Sequence, residues 1–324
     1  MSASRELALV TVSFRADLRL WSLQQRIIEE LGIPFRRLTV VHTEDIGAFE
    51  RERARSSIQC DIATTADFLP QEIERLRRGF RRRQLGYWLR HVRGLPTCSP
   101  GWHAQQFTKL AISASVSEAA TVHLDSDVIP TDRWAVSDFK ALGTGGFGQF
   151  ESAEQDAEMA QWVIDAMRAL DIPLQRTPMR RFTFCPQILK TDVTRHLLEY
   201  LERRHGRPWH EVMLERGLME YSLYGAYACF IDETTAPLDP FPGCLISFPD
   251  QLERALHEEA STEGVRYVSI QSRLAPDAET VEALYRKWTS GRPGHASSPD
   301  RSDVSDIPEC VLRRKPASRH RDAR

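Results

Sequence analysis

The sequence predicts an α/β fold, a mainly parallel sheet flanked by helices and followed by a more helical C-terminal half. Two observations carry this. Over the first 130 residues, short apolar runs rich in β-branched residues alternate with longer segments whose apolar residues recur every three or four positions. The strand-like runs are apolar throughout rather than alternating, as expected of strands buried on both faces. A third observation bounds the answer: 324 residues, 41% hydrophobic and 27% charged, suffice for one substantial core without disulfides or structural metals.

Taken in order, Leu7–Phe14 reads as a buried strand. Asp17 is placed to cap a helix in which Leu18, Leu20, Trp21, Leu23, Ile27, Ile28 and Leu31 share a stripe, ending at Gly32 and Pro34. Phe35–His42 is a second strand, and Ile58–Thr64 a weaker third before the Asp67–Pro70 turn and a charged helix from about Gln71. Trp102–Ser117 is a helix and Thr121–Leu124 a further strand. Beyond it the sequence predicts helices over Glu154–Leu170, Asp192–Arg204, Pro208–Arg216, Met219–Phe230 and Pro276–Trp288, with strands over Phe182–Leu189 and Arg266–Gln271. From Ser290 the chain is rich in Ser, Pro, Gly, Arg and Asp, so residues 290–324 are expected to be a disordered tail behind a single domain of about 1–289. Within that domain, about 1–130 and about 131–289 are expected to form two parts.

Basic and acidic residues nearly cancel, 43 against 45, which argues against a chain-wide nucleic-acid-binding surface. The cations are lopsided in kind: 38 arginines and five lysines. Six cysteines form no C-x-x-C pair and most sit in apolar surroundings, as in a reducing compartment. The N-terminus opens on a strand rather than a basic and apolar leader, and no apolar run approaches 18 residues. The expected location is cytoplasmic.

The sharpest local signal is His123-Leu124-Asp125-Ser126-Asp127-Val128. Two carboxylates at i and i+2 just past an apolar strand project from the carboxyl edge of a sheet, where open α/β proteins bind ligands. Such hard oxygens suit Mg²⁺ or Mn²⁺ that also holds a diphosphate, and the metal would neutralise charge on a leaving nucleoside diphosphate. The competing reading is a strand-end turn in which Asp merely favours the geometry. Gln105, Gln106 and Lys109 share a face of the preceding helix, placed for phosphate or sugar hydroxyls, or else for solvent.

The run from Gly101 to Leu110, the His123–Val128 segment, Cys185-Pro186-Gln187-Ile188-Leu189, Trp209 and Glu220-Tyr221-Ser222-Leu223-Tyr224-Gly225 together resemble a bacterial family of DUF6492 type, described as glycosyltransferase-like. The resemblance covers roughly residues 7–270. The family usually has Ser where this chain has Met219. The resemblance implies a GT-A-like fold in which Asp125 and Asp127 bind the metal and the diphosphate of a nucleotide-sugar donor. It places Thr11, Ser13 and Arg15 near the nucleotide and Gln105, Gln106 and Lys109 on the donor side.

Glu220, opening an apolar helix, is either a dipole partner or the base that deprotonates an acceptor hydroxyl. Gln187, Tyr221 and Tyr224 are expected on the acceptor side, the acceptor being a glycan, a lipid-linked group or a small molecule. The arginines between Arg77 and Arg93, interleaved with Phe80, Tyr87 and Trp88, suit anionic groups or a peripheral membrane contact, or a solvated basic face. Two other classes stay open. One is a haloacid-dehalogenase-like phosphohydrolase with Asp125 as nucleophile, Asp127 as acid/base, and Lys190 and the Asp232-Glu233 pair as its remaining parts. The other is a binding module without turnover.

Overall fold

The computed structural model describes residues 7–81, 100–131, 157–174, 186–233, 243–246, 251–253, 255, 266–270, 274 and 277–289. Its main sheet is built from β1 (Leu7–Ser13), β2 (Arg36–Val41), β3 (Asp61–Thr64), β4 (Ala120–His123) and β6 (Gln187–Lys190), in the order β3-β2-β1-β4-β6. β1 pairs in parallel with β2 and β4, and β2 with β3. All seven residues of β1 are buried, which is why its sequence is apolar without alternation. Leu7 and Leu9 join the principal core, while Ala8, Val10 and Val12 pack with Leu38, Val40 and Ile112 in a second cluster. The expected α/β class with a mainly parallel sheet is therefore observed.

One strand departs from the parallel rule. β6 runs antiparallel to β4, with His123 opposite Gln187 and Ala120 opposite Lys190. Apolar patterning marks a buried strand but carries no information about direction. A second, three-stranded sheet combines β5 (Val128–Pro130), β7 (Gly243–Ile246) and β8 (Tyr267–Ile270) in the order β5-β8-β7. β5 and β7 are not among the expected strands, because three and four residues are too short to show a period.

Helix α1 (Leu18–Glu30) presents Leu20, Leu23 and Ile27 to the small sheet and sets Trp21 edge-on against Phe49, with ring centroids 4.9 Å apart. Asp17 stands at its N-cap position but makes no side-chain capping bond; a 3₁₀ turn over Arg15–Asp17 leads in instead. The helix stops before Gly32, whose φ of +61° is left-handed. Helix α2 (Ile46–Arg55) was not expected, because its charged sequence buries only Ala48 and Phe49. The remaining described helices are α3 (Gln71–Arg81), α4 (Pro100–Ser115), α5 (Ala157–Ala169), α6 (Thr191–His205), α7 (Trp209–Arg216), α8 (Glu220–Tyr227) and α9 (Ala278–Thr289). A π-helical turn over Ala228–Asp232 continues α8.

This topology fixes where a ligand belongs. From β1 the chain steps outward to β2 and β3, then returns to the other side of β1 with β4. Strand order thus reverses between β1 and β4, and the crevice outside their carboxyl ends is where open α/β sheets bind ligands. No described helix is long and apolar enough to cross a membrane. The expected tail over 290–324 lies outside the described residues.

Candidate functional site

Asp125, Ser126 and Asp127 occupy a four-residue turn that leaves β4 and enters β5, closed by Val128 N–H donating to the Asp125 carbonyl at 2.9 Å. The turn therefore sits at the reversal point between β1 and β4. It is tied to the end of β1 by Ser126 Oγ donating to Ser13 Oγ at 2.7 Å. A second tie comes from α1. The Gln24 amide nitrogen donates to the carbonyl of Asp125 at 2.6 Å and of Val128 at 2.7 Å. Its oxygen accepts from Thr11 Oγ1 at 3.1 Å and from the Gln25 amide at 3.2 Å. Asp125 and Asp127 stay half-buried, while Ser13, Gln24 and Ser126 are buried.

Beneath Asp125 lies a buried charge cluster. Lys109 Nζ stands 2.9 Å from Asp125 Oδ1 and 3.1 Å from Glu220 Oε1, and sits 4.7 Å from the centre of the Tyr221 ring. Lys109 is 2% exposed and Glu220 1%, so their charges are compensated within the protein. With its amide nitrogen toward Glu220, Gln106 donates to both carboxylate oxygens. Burial pushes the Glu220 carboxyl above the usual carboxylate range, and Lys109 pulls it back. His123 at the end of β4 is held neutral by burial and by the Lys109 charge; its Nε2 meets Ser113 Oγ at 2.8 Å and Thr121 Oγ1 at 3.1 Å. Nδ1 of His123 and Nε2 of Gln187, on cross-strand partner residues, have no hydrogen-bond partner among the described residues.

The structure brings together Ser13, Gln106, Lys109, Asp125, Asp127, Gln187, Glu220 and Tyr221 around the carboxyl end of β4. Thr11 is buried and spent on Gln24. Arg15 is exposed in the loop after β1, its backbone N–H donating to Asp45 at 3.1 Å, and Gln105 is half-buried on α4. Tyr224 is elsewhere. Its hydroxyl accepts from the Lys190 backbone N–H at 2.9 Å, and Lys190 pairs with Ala120, at the opposite end of β4 from the acidic turn. Helical spacing put Tyr224 near Tyr221, but the two rings leave α8 toward different edges of the sheet.

Arg77 also corrects an expectation. It is 4% exposed and forks onto Glu44 at 2.7 and 2.8 Å and Glu74 at 2.9 Å, so it locks α3 to the loop after β2 rather than facing a membrane. That guanidinium holds Glu44 down to about 2. His42, in the same cluster, is lowered to about 4, first by burial and then by Arg77. Residues 82–93 of the arginine-rich segment lie outside the described residues.

Sequence reasoning missed Gln24, Ser126 and Asp17. Gln24 did leave a trace: it stands four residues after Leu20 and three before Ile27, on the buried stripe of α1. A polar residue on a buried stripe has to find partners, and an amide there signals a fixed hydrogen-bonding task. Asp17 approaches the turn closely enough that Asp125, after burial, raises its carboxyl. Asp17 and Asp125 thus stand close to each other at the end of β4.

This oxygen set fits a divalent cation. Among the described residues no three groups of the His, Cys, Asp or Glu kind converge to form a complete cage. Two carboxylates with remaining positions left to water and phosphate are the manner in which Mg²⁺ binds nucleotides. A concavity of about 600 Å³ at the other edge of the sheet, lined by residues including Arg36, Arg53, Asp61 and Phe68, has no such set. There Arg36 is already engaged by Asp61 and Glu118.

Comparison with solved structures returns remote likenesses. The glycosyltransferase GlyE of Streptococcus pneumoniae TIGR4 shares 12% identity at a TM-score of 0.44 over 87% of this chain and 61% of its own. The present chain thus spans less than two thirds of that protein. Mouse xyloside xylosyltransferase 1 in its apo form shares 10% identity at a TM-score of 0.44, over 84% of this chain and 99% of its own. Glucosyl-3-phosphoglycerate synthase of Mycobacterium tuberculosis, in complex with Mn²⁺, uridine diphosphate and glucosyl-3-phosphoglycerate, shares 13% identity at 0.39, over 89% and 81%. No curated protein matches the chain in sequence. Residues 14–266 match the model of a family of unknown function, DUF6492, and with well over half its length inside that match the protein belongs to this family.

Proposed function

We propose that the protein is a GT-A-like glycosyltransferase that takes a sugar from a nucleotide-sugar donor, with Asp125 and Asp127 holding Mn²⁺ or Mg²⁺ at the donor diphosphate. The observation that carries the reading is the position of the acidic turn. It lies at the reversal of strand order between β1 and β4, with both carboxylates half-buried and its backbone fixed from two sides. A bound divalent cation supplies Lewis-acid neutralisation of the leaving diphosphate. The protein's own groups orient it. Lys109 holds Asp125 through one oxygen, while Ser13 and Ser126 fix the turn against the loop that carries Arg15 toward the nucleotide.

Glu220 we assign to orienting Lys109 rather than to deprotonating an acceptor. At 1% exposure, with Lys109 and Gln106 on its oxygens, it meets no acceptor hydroxyl unless both partners move. Gln187 and His123, each with a buried polar atom that has no partner among the described residues, are the better candidates for sugar hydroxyls, and Tyr221 for the wall beside them.

The phosphohydrolase reading is weakened by placement. Lys190 pairs with the first residue of β4. It therefore lies at the far end of a four-residue strand, about 10 Å from the acidic turn. The test is to incubate the protein with UDP-, GDP-, ADP- and dTDP-sugars and Mn²⁺ and to assay release of the nucleoside diphosphate. Slow donor hydrolysis that Asp127→Asn abolishes supports the reading. Hydrolysis of an aryl phosphate, lost in Asp125→Asn, with every nucleotide-sugar intact, replaces it with the phosphohydrolase. Metal-dependent binding without turnover on any donor or acceptor leaves a binding module.

A further inference from the structure

We infer that Gln24 is a positioning residue that sets the geometry of the Asp125–Asp127 turn for its cation, although it lies about a hundred residues away in sequence. The inference rests on the metal-binding reading of that turn and adds to it a strut that none of the site's motifs contains.

The geometry is specific to an amide. One Gln24 nitrogen bonds the carbonyls of Asp125 and Val128, the first and last residues of the turn, at 2.6 and 2.7 Å. These two bonds span the turn whose own Val128-to-Asp125 bond is 2.9 Å. The Gln24 oxygen is occupied from the other side by Thr11 and Gln25, which fixes which way the amide points. A carboxylate at this position would face two carbonyls with lone pairs, and an aliphatic side chain would leave both carbonyls without their partner. Gln24 is 0% exposed, so water does not take its place without local opening. It lies on α1, whose neighbouring residues Leu23 and Ile27 pack against the small sheet that the turn feeds. The turn, the end of β1 and α1 thus form one rigid unit. A carboxylate pair that has to meet a cation and a diphosphate together gains from such preorganisation, because a small misplacement is costly in rate and affinity.

The experiment compares wild type with Gln24→Met, Thr11→Val and Trp21→Phe. The Met variant matches the size of Gln24 and removes all four bonds. Thr11→Val removes only the bond that aims the amide, and keeps the question answerable if Gln24→Met does not fold. Trp21→Phe is on the same helix and loses a buried bond to Thr39 of 2.8 Å instead, so it reports general loosening of α1. Two readouts are taken: hydrogen–deuterium exchange of the peptide over 122–130 in the unliganded protein, and binding of Mn²⁺ alone followed by electron paramagnetic resonance. The expected result is at least tenfold faster exchange in Gln24→Met and a smaller acceleration in Thr11→Val. The Mn²⁺ dissociation constant should rise at least tenfold in Gln24→Met, and Trp21→Phe should move neither readout. Unchanged exchange, or equal acceleration in Trp21→Phe, overturns the role of Gln24. Accelerated exchange confined to Gln24→Met and Thr11→Val, with no Mn²⁺ bound even by wild type, leaves the strut standing and overturns the metal reading instead.

Discussion

Removing the Lys109 ammonium strands Glu220, which is 1% exposed, while Asp125 re-solvates from its half-buried position. Breaking a buried ion pair from one side costs about 3–5 kcal/mol, because the remaining charge keeps its desolvation penalty. Lys109→Met is therefore expected to lose that much in urea unfolding at neutral pH. Lys109→Met/Glu220→Gln should recover a large part of it. Full additivity of the two single variants would show that the pair is not coupled. His42 gives a pH signature of its own. Its imidazole takes a proton near 6.5 when unfolded and near 4 when folded. Between those values the unfolded state holds more protons, so stability falls as pH drops from about 6.5 to about 4 and then levels. The loss between pH 7 and pH 5 is expected to be roughly 2 kcal/mol. It should vanish in His42→Asn, and a wild-type melting temperature that does not move over that range would contradict the assignment.

At the scale of elements, what the sequence disclosed and what it hid have separate physical causes. β1, α1, β4 and α6 were legible because each buries a broad face, and burial imposes either an unbroken apolar run or a 3.6-residue period. α2 hid behind seven consecutive residues that include five charges, Phe49-Glu50-Arg51-Glu52-Arg53-Ala54-Arg55, with Phe49 the large apolar side chain that packs on Trp21. The direction of β6 and the short strands β5 and β7 were illegible because direction and pairing are decided by distant partners. The acidic turn was visible as a motif and the Lys109 face as a spacing. Their union with Glu220 depends on α8 meeting α4, which sequence separation conceals. The same distinction separates scaffold from site in a pair of variants. Ser126→Ala removes the donor on Ser13, which is 0% exposed, and is expected to cost about 1–2 kcal/mol and to weaken metal-dependent nucleotide binding. Gly206→Ala strains the left-handed residue after α6, at φ +64° with open space around a Cβ. It should cost about 1 kcal/mol and leave that binding unchanged. Calorimetry with and without ligand reads both quantities. Equal effects of the two variants on binding would mean that the Ser13–Ser126 tie has no special place at the site.

For the whole molecule, a formal charge of −2 hides an uneven distribution. Asp17 stands close to Asp125, Asp127 follows two residues on, and a buried lysine, one of only five in the chain, pairs with Asp125. On the proposed reading, a divalent cation and the donor diphosphate complete the charge balance of this turn. Cation-dependent capture of a nucleoside diphosphate at this turn, where strand order reverses, is therefore what the proposed function requires. Titration calorimetry with UDP, GDP, ADP and dTDP, in Mn²⁺ and again in excess chelator, tests it most directly. At least one nucleoside diphosphate is expected to bind in Mn²⁺, stabilising the fold by about 2.7 kcal/mol at a hundred times its dissociation constant. Chelator or Asp127→Asn should each abolish the binding. Equal binding with and without metal, equal binding in Asp127→Asn, or no binding of any of the four would contradict it.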